Sequence, residues 1–298
     1  MVRSSTVVPL TRPPKRRQGR FGEYDVAVPL ARGGTCGVYL GVCSETGERV
    51  ALKVLDPQFA GCADVVQRLF DEQDFASRTL HPGLLDIRDA RTTSDGLPYL
   101  VMEYLDGESL GAVAERGLLD LGTIVAIAAQ VSSALAALHA VGVIHCDVKH
   151  DNVYVLDESI GNWPRVKVID YGVSRSVDDP PPTDASIAGT PAFMAPEQWR
   201  GEAVPASDVY ALGCLLYDLT TGAPPFEGSL PELMMAHLEG RPARPSWLRP
   251  MPIELERVIL RSLAKDPAAR PSMAELAGEL TDMMDAYTPV VAQITKCA

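Results

Sequence analysis

Three polar residues with different chemical abilities stand close together in His145-Cys146-Asp147-Val148-Lys149-His150-Asp151-Asn152. Asp147 can accept a proton from an attacking hydroxyl, Lys149 can lie beside a transferring phosphoryl group, and Asn152 can offer an oxygen to a metal ion. Phosphoryl transfer needs these three contributions, because its barrier falls mainly through positioning and charge neutralisation. The pattern is short enough to arise by chance, so a polar turn between a helix and a strand is the alternative.

Three further charged residues could serve the same chemistry. Lys53 follows the apolar residues Val50-Ala51-Leu52, and Glu72 lies near the middle of a helical pattern. Asp170 follows a short apolar strand and precedes Tyr171-Gly172, a position that suits a carboxylate ligand of magnesium. Taken singly, these residues are also explained by a solvent-facing strand lysine, a solvated helix carboxylate and an Asx turn.

A glycine-rich turn precedes these residues, with the sequence Ala31-Arg32-Gly33-Gly34-Thr35-Cys36-Gly37-Val38. Glycines allow backbone N–H groups to approach phosphate oxygens, because no side chain stands in the way. A tight hairpin without a ligand would have the same composition, so the turn by itself favours neither interpretation.

The elements that must position these residues differ between the two halves of the chain. In the first half, short runs of β-branched and apolar residues predict five strands, at residues 24–30, 37–43, 48–55, 84–88 and 98–102. Apolar residues at helical spacing predict one helix there, over residues 63–80. Residues 103–107 break the pattern, so we expect a linker between two lobes at this point.

The second half is predicted to be mainly helical. Apolar helices are expected at residues 119–142, 208–221, 230–239, 254–264 and 272–284. Short strands are expected at residues 153–155 and 166–169, with a loop over residues 157–164 between them. Residues 173–194 are polar and proline-rich and predict a long mobile loop, which in a compact domain is often functional.

Composition excludes several classes of protein. The net charge is −12, and residues 1–20 hold six basic and no acidic residues, leaving 21 basic and 39 acidic residues in the remainder. Such an acidic body argues against nucleic acid as the main ligand. The six cysteines form no C-x-x-C pair, which argues against a zinc site or a disulfide framework and favours a reduced, cytoplasmic setting. The apolar run over residues 121–144 is interrupted by polar side chains, so we expect a buried core helix and no membrane span.

Together the motifs resemble the eukaryotic-like Ser/Thr protein kinases, especially the bacterial branch, over about residues 22–284. The resemblance implies an α+β, bilobal fold, with a small, mainly antiparallel β lobe that has one major helix and a larger, mainly α-helical lobe. It divides the chain into a flexible basic, proline-rich tail (1–20), a kinase domain (21–286) and a C-terminal tail (287–298). Within the domain it implies an N-lobe over about 21–102, a hinge over 103–107 and a C-lobe over about 108–286.

The resemblance also implies which residues contact ATP. Lys53 should bind the α- and β-phosphates with Glu72 as its ion-pair partner, and Met102 should be the gatekeeper beside the adenine. The implied ATP-binding residues are Leu30, Ala31, Arg32, Gly33, Gly34, Thr35, Cys36, Gly37, Val38, Ala51, Lys53, Met102, Glu103, Leu105 and Tyr154.

Catalytic roles follow from the same resemblance. Asp147 should be the catalytic base and Lys149 the cation at the γ-phosphate, while Asn152 and Asp170 should hold Mg²⁺, with Mn²⁺ as an alternative ion. Thr190 is expected to contact both Asp147 and Lys149, as in Ser/Thr kinases. Three residues have implied structural roles. Glu197 should pair with Arg270, and Asp208 should brace the backbone of the catalytic loop.

Several positions depart from the family pattern. Ala31 and Cys36 replace the first and third glycines of the phosphate loop, and Tyr154 replaces an aliphatic residue under the adenine. Cys146 replaces the arginine that reads a phosphate on the activation loop, and a cysteine cannot pair with a phosphate as an arginine fork does. We therefore predict that activity depends little on loop phosphorylation, although Thr183 and Ser186 remain candidate phosphosites.

The predicted function is transfer of the ATP γ-phosphoryl group to serine or threonine of a protein substrate. A small-molecule kinase of the aminoglycoside or choline type is the first alternative, because that family shares His-x-Asp-x-x-x-x-Asn. Lys149, Thr190, Ala195-Pro196-Glu197 and Arg270 favour the peptide-substrate class. A catalytically weak scaffold of kinase fold is the second alternative. The sequence predicts neither the protein substrate nor the oligomeric state.

Overall fold

The structure is a computed structural model that describes residues 19–179 and 189–287. Its first lobe contains an antiparallel sheet of the strands Arg20–Phe21 (β1), Tyr24–Arg32 (β2), Cys36–Cys43 (β3), Arg49–Leu55 (β4), Ile87–Thr92 (β5) and Pro98–Glu103 (β6). The strand order is β1-β2-β3-β4-β6-β5. One helix, Ala63–Ser77 (α1), connects β4 to β5 and packs on β5 and β6.

Burial explains why β4 and β6 lie inside this sheet. Val50, Leu52 and Val54 of β4 are almost fully buried, as are Leu100 and Val101 of β6. Apolar residues suit these two strands because each has a sheet neighbour on both sides. Strand β4 pairs with β3 and so holds the glycine-rich hairpin of β2 and β3 at one edge.

The second lobe is mainly helical. Its helices are Leu110–Ala114 (α2), Leu121–Ala140 (α3), Pro205–Thr221 (α4), Leu230–Glu239 (α5), Pro245–Leu248 (α6), Ile253–Ser262 (α7) and Met273–Tyr287 (α8). Its short strands are Gly107–Ser109 (β7), Val143–Ile144 (β8), Val153–Ile160 (β9), Trp163–Val168 (β10) and Arg175–Ser176 (β11), paired in the orders β10-β9-β7 and β11-β8. The predicted α+β fold with two unequal lobes is thus confirmed.

Helix α3 is the centre of the second lobe. The Asp120 side chain accepts a hydrogen bond from the Thr123 N–H at 2.9 Å and so caps the first turn. Residues such as Ile124, Val131 and Leu135 are fully buried, and α3 packs against α8, α4 and β10. By length and composition α3 could cross a membrane, but 67% of its most apolar stretch is buried inside the protein. It is therefore best described as the core helix that the sequence predicted.

The structure corrects the predicted strand over residues 84–88, because β5 begins only at Ile87. Leu84 and Leu85 are buried for another reason: Leu84 forms a parallel bridge with Val168, and the Leu85 N–H donates to the Val168 carbonyl at 3.0 Å. These leucines join the two lobes. The strand itself is the polar stretch Ile87–Thr92, which its sheet neighbour β6 holds in place against its weak local preference.

Two predicted loops are also more ordered than expected. Residues 157–164 were expected to form a loop, but β9 continues to Ile160 and pairs with β10 across a tight turn at Gly161, which has φ of 62°. In the predicted loop over residues 173–194, the described part contains β11, which pairs with β8, and a 3-10 turn at Pro191–Phe193.

Some expectations fall outside the described residues. These include nearly all of the N-terminal tail, residues 288–298, and the candidate phosphosites Thr183 and Ser186. Arg20 was expected in the tail, but it belongs to β1 and is the register partner of Asp25 in β2.

A buried ion pair joins the segment before α4 to the segment before α8. Arg270 donates to both carboxylate oxygens of Glu197, at 2.6 and 2.9 Å, and also to the carbonyls of Ala264, Ala206 and Lys265. The two side chains are 0% and 5% exposed. Burial alone would raise the pKa of Glu197, but hydrogen bonds from Arg270 and a serine hydroxyl lower it overall.

Replacing Arg270 by methionine should lower the free energy of unfolding by about 3–5 kcal/mol, because Glu197 would keep a buried charge without a partner. Urea titration would measure the change. The control is Arg116→Met, which breaks an exposed pair with Glu108 (61% and 40% exposed) and should change stability by no more than about 1 kcal/mol. Equal losses in the two variants would contradict the importance of the buried pair.

Candidate active site

Three charged residues from different elements meet between the lobes. Lys53 lies on β4, Glu72 on α1, and Asp170 follows β10. The Lys53 ammonium donates to both Glu72 oxygens at 2.7 Å and to Asp170 Oδ1 at 3.0 Å. The structure therefore brings together residues that are up to 117 positions apart in the sequence.

Electrostatics favour the ionised states of Lys53 and Asp170, whereas burial raises the pKa of the Glu72 carboxyl to about 7 despite the nearby Lys53 charge. Burial would lower the pKa of Lys53, but the negative charges of Asp170 and Glu72 raise it above its usual range. Burial would raise the pKa of Asp170, but the charge and hydrogen bond of Lys53 lower it overall. Lys53 is therefore a permanently charged group at a defined position, able to attract an anion into the cleft.

A second cluster surrounds Asp147. Lys149 donates to Asp147 Oδ2 at 2.7 Å and to the Thr190 hydroxyl at 2.9 Å, while that hydroxyl donates to Asp147 Oδ1 at 2.7 Å. Asn152 Nδ2 donates to the Asp147 carbonyl at 2.8 Å and to Oδ2 at 3.0 Å. Asp147 and Lys149 are each only 3% exposed. Such a carboxylate could orient and deprotonate a hydroxyl that enters beside Lys149.

Asp208 on α4 holds the loop that carries Asp147. The two oxygens of Asp208 accept the backbone N–H groups of His145 at 2.9 Å and Cys146 at 2.8 Å, and His139 Nε2 lies 2.8 Å from Oδ2. Burial would raise the pKa of Asp208, but hydrogen bonds and positive charge from these histidines lower it overall. Asp208 thus positions the peptide that precedes the candidate base.

The residues present fit a divalent metal ion. Asn152 is buried, and its Oδ1 has no hydrogen-bond partner within the part of the chain that the structure describes. Leaving a buried amide oxygen unpaired costs free energy, so a ligand for it is expected. Asn152 and Asp170 would supply the hard oxygen ligands that Mg²⁺ and Mn²⁺ accept. Residues 19–179 and 189–287 contain no cluster of three or more His, Cys, Asp or Glu side chains that could hold a metal ion.

The glycine-rich turn forms the tip of the β2–β3 hairpin. The Gly33 N–H donates to the Cys36 carbonyl at 2.8 Å and closes the turn, and Arg32 pairs with Gly37 across the ladder. A methyl group at Gly37 would lie 2.8 Å from the Tyr39 hydroxyl, so the Tyr39 ring would have to move to make room for a side chain there. The register of β3 and β4 pairs Val38 with Lys53, which brings the turn close to the first charged cluster.

Several other predicted ATP-binding residues contribute to the apolar core of the sheet and the linker. Ala51 and Met102 are buried register partners, and Leu30 and Leu105 pack against the same apolar core. Tyr154 adds an unexpected contact, because its hydroxyl donates to the Gly107 carbonyl at 2.9 Å. Its ring is therefore tied to the linker.

Close packing at this linker requires a glycine. Gly107 has φ of 151°, and a Cβ there would lie 2.1 Å from the Val155 carbonyl oxygen. The linker therefore lies directly on β9, which leads out of the catalytic loop.

Sequence reasoning missed two residues of this site. His139 was read only as part of the core helix, yet it contacts Asp208. Lys167 is expected from the sequence only as a strand residue. The residue is 7% exposed, and its ammonium donates to the Glu103 carboxylate and the Leu84 carbonyl. Neither residue stands in a short motif that could have indicated its partner.

Comparison with known proteins agrees with this arrangement. Residues 24–279 match the family model described as the protein kinase domain. The chain is 40% identical over 256 residues to serine/threonine-protein kinase Pkn1 of Myxococcus xanthus, covering 84% of this chain and 36% of that protein. It is 38% identical over 270 residues to serine/threonine-protein kinase PkaA of Streptomyces coelicolor, covering 86% and 49%. It is 37% identical over 257 residues to serine/threonine-protein kinase PknD of Mycobacterium tuberculosis, covering 84% and 38%. The matched region is thus half or less of each of these relatives.

Replacing Asp208 by asparagine should lower the free energy of unfolding by about 1.5–3 kcal/mol, because two backbone N–H groups lose a charged acceptor. Urea titration measures the loss. Asp120→Asn is a matched control, since asparagine caps a helix as well as aspartate does and the change should stay within about 0.5 kcal/mol. An Asp208→Asn variant as stable as this control would argue against the bracing role.

Proposed function

The chain belongs to the protein kinase family, in the eukaryotic-like serine/threonine branch of bacteria, and we propose that it transfers the γ-phosphoryl group of ATP to serine or threonine hydroxyls of proteins. The observation that carries this proposal is the buried network of Asp147, Lys149 and Thr190. The catalytic loop is joined to the strand end that carries Asp170, because the Ile169 N–H donates to the Asn152 carbonyl at 2.9 Å.

Each residue of the network has a chemical task in this proposal. Asp147 orients the acceptor hydroxyl and takes its proton, which typically contributes about 10²–10⁴ in rate. Lys149 places a positive charge beside the γ-phosphoryl group, where negative charge must be stabilised during transfer. Lys53, oriented by Glu72, binds the phosphates that remain on the nucleotide.

Family membership implies ATP and a divalent metal ion, and we propose Mg²⁺ as that ion. Asn152 and Asp170 would hold it, and the bound ion would neutralise charge on the phosphates. The unpartnered Oδ1 of Asn152 supports this assignment.

A protein acceptor is favoured over a small hydroxyl compound. Thr190 lies in a segment outside the catalytic loop, and it is hydrogen-bonded to both Asp147 and Lys149. The same segment is anchored by the Glu197–Arg270 pair. A kinase for small molecules has no need of a segment that is anchored in this way to present a peptide.

We also propose a cytoplasmic setting. The five cysteines in the described ranges, Cys36, Cys43, Cys62, Cys146 and Cys214, are all free thiols. Unpaired cysteines in this number suit a reducing compartment.

Incubation with labelled ATP, Mg²⁺, a casein-like protein and a panel of small hydroxyl compounds tests the proposal. Label should appear on serine or threonine of the protein, and chelation of the metal should abolish transfer. Restoring activity with Mg²⁺ or Mn²⁺ separately would identify the ion that works better. Label only on a small compound would favour the small-molecule class, and no transfer at all would favour a scaffold.

Asp147→Asn and Lys53→Met should each lower kcat by more than about 10²-fold, because proton acceptance and phosphate binding are lost. The melting temperature should show that both variants remain folded. Asp157→Asn alters an exposed aspartate on β9 and should leave kcat unchanged. Near wild-type turnover in either active-site variant would refute the role assigned to that residue.

The Thr183→Ala, Ser186→Ala double variant should keep kcat within about tenfold of wild type, a limit equal to 1.4 kcal/mol. The reason is Cys146, because its side chain carries no positive charge in either protonation state and cannot pair with a loop phosphate as an arginine fork does. Steady-state kinetics with the casein-like substrate would measure this. A larger drop would mean that loop phosphorylation controls the enzyme.

A further inference from the structure

We propose that Gln198 is a positioning residue for phosphoryl transfer. Its side-chain amide ties the loop that carries Asp147 to the segment that carries Thr190, and it does so without a phosphate group. The inference rests on the proposed kinase function and adds a residue that no short catalytic motif contains.

The geometry of Gln198 is that of a bridge. The residue begins a 3-10 turn, Gln198–Arg200, and is 5% exposed. Its Nε2 donates to the Cys146 carbonyl at 2.9 Å, and its Oε1 accepts from the Ala195 N–H at 3.1 Å. A carbonyl can only accept and an N–H can only donate, so the orientation of the amide is determined by its partners.

The bond to Cys146 holds a strained residue. Cys146 has φ of 66°, in the left-handed region that residues other than glycine rarely adopt. Such a conformation persists only where the surroundings determine it. Asp208 accepts the Cys146 N–H, and Gln198 donates to the Cys146 carbonyl, so both backbone groups of the residue before Asp147 are held.

The same bridge reaches the segment around Thr190. The Thr190 hydroxyl donates to Asp147 Oδ1 at 2.7 Å. Gly189 approaches so closely that a Cβ there would lie 3.1 Å from the Cys146 carbonyl and 3.5 Å from Gln198 Nε2. Thr190 and Gln198 lie at the two ends of residues 190–198. Their side chains bond to Asp147 and Cys146, two adjacent residues of the catalytic loop.

This bridge explains how the segment can be held while Cys146 offers no cation. An arginine at position 146 could join the two parts through a phosphate on the loop. The Gln198 amide is uncharged, is already bonded to both parts, and needs no modification to act. Its effect should therefore appear in turnover and not in ATP binding, because Lys53 and the glycine-rich turn lie elsewhere in the cleft.

A matched control exists in the same protein. Gln130 on α3 makes an equivalent pair of bonds, since its Nε2 donates to the Pro164 carbonyl at 2.8 Å and its Oε1 accepts from the Val166 N–H at 3.1 Å. Its Nε2 also donates to the Ala126 carbonyl of the same helix at 3.1 Å. It bridges α3 to β10 and touches no residue of the catalytic loop. A purely structural loss should therefore be alike at Gln130 and Gln198, whereas a positioning effect should occur only at Gln198.

The experiment compares Gln198→Glu and Gln198→Met with Gln130→Glu and Gln130→Met in the full chain. Glutamate would place an oxygen against the Cys146 carbonyl, and methionine would keep the length but remove both bonds. The measurements are kcat and KM for ATP with a casein-like substrate, and the melting temperature with and without ATP and Mg²⁺. The Gln198 variants should lose at least about tenfold in kcat, or 1.4 kcal/mol, while KM for ATP stays within about twofold.

Both Gln198 variants should still show a rise in melting temperature with ATP, which identifies a folded cleft. The Gln130 variants should keep kcat within about twofold even where their melting temperatures fall as far. Retention of more than half of the wild-type kcat by the Gln198 variants, or an equal loss in the Gln130 variants, would overturn the inference alone. A wild-type protein that transfers no phosphate to the protein substrate would overturn the proposed function as well.

Discussion

The arrangement of the cleft depends on one partly buried cation, the Lys53 ammonium between the carboxylates of Glu72 and Asp170. The three residues come from the sheet, from its single helix and from the end of a strand in the helical lobe. Without the cation, two buried negative charges would face each other without compensation, which is strongly unfavourable. The ion pairs therefore set where α1 and β10 lie relative to the sheet.

Buried ion pairs recur within the second lobe and between the two lobes. Lys149 is paired with Asp147, Arg270 with Glu197, and Lys167 with Glu103. The pairs Arg270–Glu197 and Lys167–Glu103 join segments that are 73 and 64 positions apart, whereas Lys149 and Asp147 belong to one loop. Buried pairs add little net stability compared with apolar packing, and we attribute to them the choice of one arrangement.

Hydrogen bonds to the backbone also fix the position of the catalytic loop. Asp208 holds two N–H groups of the catalytic loop, and Asn152 is oriented by the carbonyl and carboxylate of Asp147. The left-handed residues Cys146 and Asp170 stand directly beside the groups that would meet the phosphates. Strain is thus concentrated where side chains must point in directions that regular strands and helices do not provide.

The sequence by itself determined the family, the two-lobed α+β fold, the apolar strands and the core helix, because these follow from local periodicity and from motifs in a set order. It also identified Lys53, Asp147 and Asp170 as candidates, because their chemical types are unusual after apolar runs. Only the tertiary structure decided that Ile87–Thr92 forms a strand, that β9 and β10 make a continuous hairpin, and that Gln198 reaches Cys146. Those features depend on partners distant in the chain, and the energy of a contact between distant residues leaves no periodic trace in the sequence around either one.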